Sequence, residues 1–225
     1  DLVRVEDNVV SGATGSGLIL YAEALFQDDL GITTFASANL PDPAAAEGAD
    51  NVPVTLAPLA PFSGNTAYGS ELGAQIYYHR TFIVIEEEQE PQAALQFQPS
   101  VMEDLQLWGN ANGMRINYTV DTIFRNIEII GPADGLGDTG FDALNFYNRG
   151  THRYENIQIE GYEVGFSVPR SGEITVDGGR FNNLVDFMVT EPRQLGRRLR
   201  FTGDIAFGDL QQGVVNGETI DRMYF

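Results

Sequence analysis

The sequence predicts an all-β chain that folds as one right-handed parallel β-helix, a solenoid of about seven coils. Three observations predict it. A short two-strand phrase with a central Asn or Asp recurs along the chain, a further strand with alternating apolar residues follows most copies, and no helical periodicity of useful length competes. Such repeats bury their apolar faces only against their neighbours, so several stacked copies are needed for stability.

The two-strand phrase is the repeating element of the chain. The spacing between its copies is 22 residues from Asp104 to Asn126 and 30 residues from Asn126 to Asn156. Asn recurs inside the phrase, which predicts a ladder of side-chain amides at one turn, formed by Asn8, Asn65, Asn126 and Asn156. The copies begin at Val5, Phe62, Met102, Phe124, Tyr154, Val176 and Leu199.

The strand that follows each phrase alternates apolar and polar residues, which is typical of a strand with one buried face. We expect these strands at residues 17–21, 73–77, 113–117, 143–147 and 165–169. The residues predicted to point inward are Leu18, Leu20, Ala74, Ile76, Met114, Ile116, Leu144, Phe146, Phe166 and Val168.

Loops interrupt the repeat at three places, near residues 36–59, 85–99 and 132–140. They are rich in Ala, Pro and Asp, in Glu, and in Gly and Asp, respectively. None resembles a linker to a separately folded unit. We therefore expect residues 1–225 to form a single β-helix domain, and patterned sequence at both ends predicts that it is a segment of a longer protein.

The composition limits the classes of partner. The chain has 13 basic residues, all Arg, against 32 acidic residues, a formal net charge of −19, and it has no Cys. Nucleic acid is excluded as a partner because its binding depends on cationic neutralisation of phosphates. No apolar run approaches the roughly 18 residues that a membrane span requires. The composition fits an exported bacterial protein, extracellular or at the cell surface, although an acidic cytosolic protein has the same composition.

The repeats resemble those of a known group of proteins. The segments DNVVSGATGSGLILYAE, FSGNTAYGSELGAQIYYH, FRNIEIIG and YENIQIEGYEVGFSVP are similar to the PbH1-type parallel β-helix repeats of large secreted bacterial proteins. These include proteins with G8 domains, related to hyaluronan depolymerases, within the pectate-lyase-like superfamily. The resemblance covers roughly residues 3–207. It implies the fold and a connection with polysaccharides, and it carries over no catalytic signature, because fold alone does not determine function.

Outward side chains of the second strand form the candidate ligand surface. Aromatic rings can stack on sugar faces, and planar Arg can pair with uronate carboxylates. The alternative is an ordinary solvent-facing ladder, since cross-strand aromatic and polar pairs also stabilise sheets. The candidate ligand-binding residues are Gln75, Tyr77, Arg115, Asn117, Asn145, Tyr147 and Arg149.

Catalysis on this surface would require a base to remove the proton next to a uronate carboxyl, and a cation to neutralise that carboxyl. The candidate catalytic residues are His79, Tyr147 and Arg149. If the chain is an enzyme, these residues favour a polysaccharide lyase or a glycoside hydrolase. No complete catalytic constellation is visible in the sequence.

Two charged clusters each allow two interpretations. Asp134, Asp138 and Asp142 in a Gly-rich segment could bind Ca²⁺ through oxygen ligands, or could form a solvated acidic loop. An Arg cluster could pair with acidic residues of a neighbouring coil, or could bind an anionic sugar. Its members are Arg193, Arg197, Arg198 and Arg200.

Two functions compete at this level. The first is an extracellular carbohydrate-interacting module that binds or depolymerises polysaccharide on the outward face. The second is a non-catalytic structural or adhesive module, a spacer or a subunit of a cell-surface or filamentous assembly, whose partners are other chains. Self-association belongs to the second function, because the end coils of a β-helix expose strands that can pair with another copy.

Overall fold

The computed structural model describes residues 5–21, 34–39, 43–46, 48–53, 62–77, 99–144, 149–190, 197–208, 214–215, 218–219 and 223–224. Within these residues the structure is all-β, as predicted, apart from two short 3-10 helices at Ser37–Asn39 and Pro43–Ala46. The strands are β1 (Val5–Glu6), β2 (Val9–Ser11), β3 (Ser16–Tyr21), β4 (Thr34–Ala36), β5 (Asn51–Pro53), β6 (Phe62–Ser63), β7 (Thr66–Tyr68), β8 (Leu72–Tyr77), β9 (Ser100–Glu103), β10 (Gln106–Trp108), β11 (Asn112–Asn117), β12 (Val120–Arg125), β13 (Glu128–Ile130), β14 (Gly137–Asp142), β15 (Arg149–Glu160), β16 (Tyr162–Ser167), β17 (Gly172–Asn182), β18 (Val185–Met188), β19 (Arg197–Phe207), β20 (Val214–Val215), β21 (Glu218–Thr219) and β22 (Met223–Tyr224).

Two parallel sheets contain most of these strands. The first sheet has eleven strands: β1, β2, β6, β7, β9, β10, β12, β13, β15, β17 and β19. The second sheet has seven strands: β3, β8, β11, β14, β16, β18 and β22. The chain repeatedly contributes two short strands, or one long strand in their place, to the first sheet and then one strand to the second. The remaining pairs, β4 with β5 and β20 with β21, are antiparallel.

The strand registers align the repeats residue by residue. In the first sheet, the phrase predicted from sequence produces two columns of seven paired residues each, and the last copy aligns from Phe201 rather than from the predicted Leu199. Column one is Val5, Phe62, Met102, Phe124, Tyr154, Val176 and Phe201. Column two is Val10, Ala67, Leu107, Ile129, Ile159, Phe181 and Phe207.

The second sheet contributes the facing column. Column three is Leu18, Ala74, Met114, Phe141, Phe166, Phe187 and Met223. Burial confirms the inward prediction for Leu18, Ala74, Ile76, Met114, Ile116, Phe166 and Val168, while Leu20 is partly buried against the same core. Phe146 lies outside the described residues.

Aromatic side chains join the columns in the interior. The rings of Phe124 and Tyr154 stack within column one, with centroids 5.2 Å apart and an interplanar angle of 11°. Tyr154 also contacts Phe166 of column three at 4.6 Å, and Phe181 of column two contacts Phe187 of column three at 4.5 Å. Contacts of this kind add to the hydrophobic burial of the rings. The core is therefore one continuous cluster between the two sheets.

The corner between the two strands of each phrase requires a left-handed backbone. The residue there has a φ between 51° and 69° in all seven repeats. Gly adopts this conformation at no steric cost, and Asn and Asp tolerate it better than other residues. The corner residues are Asp7, Gly64, Asp104, Asn126, Asn156, Gly178 and Gly203. In β15, β17 and β19 the strand runs through this corner without a break.

The structure contains two separate side-chain ladders in place of the single amide ladder predicted from the sequence, and they lie one residue apart along the phrase. At the left-handed corner, Asn156 Nδ2 donates to Asn126 Oδ1 at 2.9 Å, and Asn126 Nδ2 donates to Asp104 Oδ1 at 3.1 Å. One residue later along the phrase, Asn8 Nδ2 donates to Asn65 Oδ1 at 2.9 Å. The next three repeats have Leu105, Ile127 and Ile157 at this second position, so its amide ladder stops after two members.

One predicted strand is wrong in register. The strand expected at residues 143–147 lies instead at Gly137–Asp142, and Phe141 rather than Leu144 pairs with Met114. The Gly-rich residues before Phe141 lack apolar alternation, whereas the residues after it have the alternation that is typical of a strand. Leu144 is half-buried and follows the strand. Accordingly, only residues 132–136 of the predicted loop near 132–140 lie outside strands.

The other two predicted insertions are described only in part. The segment near 36–59 contains both 3-10 helices and β5, which pairs with β4. Residues 85–98 of the insertion near 85–99 lie outside the described residues.

The buried aromatic interior supports a test within one column. Phe124→Ala is expected to lower the free energy of unfolding by about 3–5 kcal/mol, because it leaves a cavity beside Tyr154. Phe201→Ala in the same column is the matched control. Phe201 is 42% exposed whereas Phe124 is 0% exposed, so its loss should cost less than half as much. Urea denaturation followed by the emission of the single Trp measures both; equal losses would contradict a continuous core.

The buried phenol of Tyr154 supports a second test. Its hydroxyl has no hydrogen-bond partner among the described residues, and burial raises its pKa well above the ordinary value. Tyr154→Phe should therefore stabilise the protein by about 1 kcal/mol at neutral pH, since it removes an unsatisfied buried group.

The pH dependence follows from the same burial. The unfolded phenol ionises near its ordinary pKa of about 10, so stability is complete below that pH and falls as the pH rises towards the folded pKa. Tyr154→Phe should make this alkaline decline shallower in urea titrations. Tyr162→Phe is the control for the gain at neutral pH, because the Tyr162 hydroxyl donates to the Asn110 carbonyl at 3.3 Å and its loss should destabilise. Burial raises the pKa of Tyr162 as well, so this variant should also make the alkaline decline shallower. Equal changes in the free energy of unfolding of the two variants at neutral pH would contradict the assignment of an unsatisfied hydroxyl to Tyr154.

Candidate functional site

Four predicted ligand-binding residues lie together on the outer face of the second sheet. Gln75 pairs with Arg115, and Tyr77 pairs with Asn117, in adjacent strands β8 and β11. All four side chains are half-buried. The residues between them point inward and are buried, as the pleat of a strand requires. The structure thus produces a compact block of an amide, a phenol, a guanidinium and a second amide.

Strand β3 extends this block with apolar groups. Ile19 pairs with Gln75 and Tyr21 pairs with Tyr77. The Tyr21 and Tyr77 rings meet edge to face, with centroids 5.9 Å apart, and Tyr21 is 47% exposed. We call the set Ile19, Tyr21, Gln75, Tyr77, Arg115 and Asn117 the second-sheet surface. It offers two adjacent rings beside hydrogen-bonding groups.

Arg115 is held in place by a carboxylate. Its Nε donates to Asp142 Oδ2 at 3.1 Å, with the two side chains 39% and 32% exposed. Asp142 occupies the position next to Arg115 that the sequence prediction assigned to Asn145, and the three-residue register difference explains the change. A guanidinium has five N–H donors, and this contact uses the one on Nε. The pair is neutral overall, so Arg115 is oriented while its net attraction for anions is reduced.

The remaining predicted residues do not join this surface in the described structure. His79, Asn145 and Tyr147 lie outside the described residues. The backbone of Arg149 begins β15 and pairs with Val120 in the first sheet. The structure therefore places Arg149 in a different sheet from Gln75 and Arg115, contrary to the sequence expectation. The catalytic roles suggested for His79, Tyr147 and Arg149 stay predictions.

The three aspartates suggested for Ca²⁺ are in different environments. Asp134 is exposed in a turn, Asp138 is exposed in β14, and Asp142 pairs with Arg115. Among the described residues, no group of three His, Asp or Glu side chains is arranged to hold a metal ion. The described structure therefore does not assemble these three carboxylates into a site.

The outer face of the first sheet carries alternating charges. Arg125 contacts Glu155 at 2.7 Å and Glu103 at 3.2 Å, and Arg153 contacts Glu155 at 3.0 Å and Asp177 at 3.7 Å. The hydrogen bond from Arg125 to Glu155, together with their opposite charges, raises the pKa of the Arg125 guanidinium. Exposed ion pairs contribute little individually, but a connected network fixes side-chain positions more firmly.

The Arg cluster near the C-terminus pairs with the neighbouring repeat in the described part of the chain. Arg198 contacts Glu173 at 3.1 Å, and Arg197 donates to the Pro169 carbonyl at 3.4 Å. Burial lowers the pKa of Arg197. The pairing interpretation is confirmed for Arg198, whereas Arg193 lies outside the described residues.

Sequence reasoning missed two exposed aromatic residues on the first sheet. Tyr68 and Trp108 pair in adjacent strands β7 and β10 and are 45% and 40% exposed. Both flank the buried residue of their strand and directly precede a Gly of the repeat. The alternation rule applied to the first strand phrase, rather than to the second strand alone, would have identified them.

Within the ranges that the structure describes, no helix combines the length and the hydropathy needed to cross a membrane.

No protein-family model, no curated protein and no solved structure matches the chain. We therefore infer its function from the geometry of its own surfaces.

Proposed function

We propose that the chain is a right-handed parallel β-helix of about seven coils that acts as an extracellular or cell-surface polysaccharide-binding module. The alternation of first-sheet and second-sheet strands, and the three columns of seven residues, support the β-helix. Right-handedness is proposed because crossover connections between parallel strands are almost always right-handed. The similarity to pectate-lyase-like repeats of G8-containing proteins, proposed from the sequence, agrees with this architecture.

The observation that carries the binding proposal is the second-sheet surface. Stacked strands lie roughly 4.8 Å apart, so Tyr77, Asn117, Gln75 and Arg115 form a continuous block. Aromatic side chains bind the apolar faces of sugar rings, and amides and guanidinium groups bind hydroxyl and carboxylate oxygens. A polysaccharide lying along the stacking direction would contact several repeats at once. Rigid strands hold these groups without further ordering, which favours affinity.

An acidic polysaccharide is the ligand class that best uses Arg115. A uronate carboxylate can pair with guanidinium N–H groups that Asp142 does not use. Because Asp142 lies beside Arg115, it competes for the same charge and limits the affinity. The proposal is for binding; depolymerisation would also require a base, for which His79 and Tyr147 are the candidates predicted from sequence.

A structural or adhesive role is the second candidate, and one observation favours it. Phe201 and Phe207 occupy the inward columns at the last described repeat, yet they are 42% and 44% exposed. Exposed apolar groups at the end of a stack favour association with further strands. In this role the module would be a spacer or subunit, and its partners would be other chains of a surface assembly.

The binding proposal predicts opposite effects of two neighbouring substitutions. Arg115→Gln should weaken binding to polygalacturonate about tenfold, because it removes the cationic donor. Asp142→Asn should strengthen it, since it removes the competing negative charge while it retains an oxygen for the Leu144 amide. Affinity electrophoresis or calorimetry at low and high salt measures both, and added salt should reduce the difference.

Arg153→Gln is the matched control for these variants. Arg153 is also an exposed, ion-paired arginine, but it lies on the first sheet. The Tyr77→Ala variant should weaken binding to polygalacturonate equally at low and high salt, because the ring contact does not depend on charge. Ultraviolet absorbance of unsaturated products in the same samples reports any lyase activity. Equal effects of Arg115→Gln and Arg153→Gln, or no binding by the unaltered chain, would contradict the proposed surface.

A further inference from the structure

We propose that Tyr68 and Trp108 form a second sugar platform, on the first sheet, that takes a neutral glycan. Its residues are separate from the second-sheet surface, so it does not depend on the function proposed above. Three observations carry it: two exposed rings in register, an indole fixed by a neighbouring carboxylate, and a strip of backbone without side chains beside the rings.

The two rings are held outward by their strands. Tyr68 and Trp108 pair across β7 and β10, and the preceding residues, Ala67 and Leu107, are both 0% exposed. Because successive side chains point to opposite faces, burial of Ala67 and Leu107 fixes the outward direction of the two rings. Each ring is somewhat less than half exposed, so it retains a large apolar surface for a ligand. Adjacent rings at the strand spacing could contact neighbouring sugars of one chain.

The indole of Trp108 is anchored at its polar edge. Its Nε1 donates to Glu128 Oε2 at 3.0 Å, and Glu128 lies on the next strand, β13. A tryptophan side chain has only this one hydrogen-bond donor. Since Glu128 satisfies it, the ring is oriented in advance and contributes through its face rather than through the N–H group. Such preorganisation reduces the entropy that binding would otherwise lose.

Glycine leaves space next to the rings. Gly12, Gly69 and Gly109 follow Ser11, Tyr68 and Trp108, and each has a φ of 62° to 64°. A Cβ at Gly12 would meet nothing within 4 Å, and at Gly69 or Gly109 only a backbone nitrogen at 4.0 Å. Their N–H groups are already used along the stack, for example Gly69 N to the Trp108 carbonyl at 3.1 Å. These three glycines therefore form an open strip of hydrogen-bonded backbone, which runs beside the rings in the direction in which the strands stack.

The charge around the rings determines the ligand class. Glu128 lies against the indole, and Glu160, two strands beyond Trp108 in the same column, pairs with Arg180 at 2.9 Å. The polar column beside the rings consists of Thr66, Gln106, Glu128 and Gln158. It offers hydroxyl and amide groups for sugar hydroxyls and no cationic side chain for a carboxylate. The negative charge of Glu128 lies directly against the indole, so a polyanion would be repelled at the rings. A neutral polysaccharide can stack on the two rings without being repelled by this negative charge.

The chain has a single tryptophan, so its fluorescence reports on this platform alone. Titration of the intact chain with soluble hydroxyethyl cellulose or dextran should produce a saturable change in Trp emission that added salt does not alter. Polygalacturonate should leave the emission unchanged. The proposal is overturned if neither neutral polysaccharide changes the emission, whatever happens to acidic polysaccharides at the second-sheet surface.

Substitutions separate a binding role from a purely structural one. Tyr68→Ala should weaken the neutral-glycan titration about tenfold, and Tyr68→Phe should restore it, because the ring rather than the hydroxyl makes the contact. Tyr77→Ala should leave the Trp108 signal intact, which distinguishes the two surfaces. A Tyr68→Ala variant that titrates like the unaltered chain would overturn the platform. If that variant does not fold, the titration of the unaltered chain still decides.

Discussion

The structure depends on the register of its parallel strands. Adjacent parallel strands cannot be joined by a tight hairpin. Each strand therefore pairs with its neighbour only after a crossover connection has brought the chain back to the same end of the sheet. In this chain the return brings the equivalent residue of the next repeat, so Met102 pairs with Phe124 and Phe124 with Tyr154. A shift of one residue would move every inward side chain to the surface. The interior columns, the corner hydrogen bonds and both outer surfaces exist only in this register.

Sequence patterns predicted the regular repeats of the fold, and they failed where a repeat lacks the usual alternation of apolar and polar residues. Period-two alternation identified Ala74, Ile76, Met114 and Ile116 as buried, because these positions have no competing pattern. It failed at Phe141, because the strand there is Gly-rich and has no apolar alternation. The residues that follow do alternate, and they were predicted as the strand instead. The amide ladder failed for a related reason: Asn8 and Asn126 are equivalent in residue type but differ by one position in register, which pattern matching alone does not detect.

The candidate surfaces show the same division. Gln75, Tyr77, Arg115 and Asn117 were predicted together because they share strands that alternate clearly, and the structure brings them together. Asn145 was placed beside Arg115 by a wrong register, and that error concealed the carboxylate of Asp142. An ion pair between distant segments, such as Arg115 with Asp142, depends on three-dimensional register and has no local signal. Trp108 was missed because only one of the two strand types was examined for outward residues.

The strands differ in length from one end of the stack to the other. Strands β1 and β2 have two and three residues, whereas β15, β17 and β19 have twelve, eleven and eleven. Where one long strand includes the corner, paired residues continue on both sides of it in β15 and β17, and a register shift interrupts the pairing of β17 with β19 between Asp177 and Gly179. Where the strands are short, each repeat is held by separate small ladders. In a nearest-neighbour stack, the interface energies then differ along its axis. Mechanical or thermal opening would accordingly start among the early repeats and progress toward the late ones, so the two ends of the stacked sheets are not equivalent.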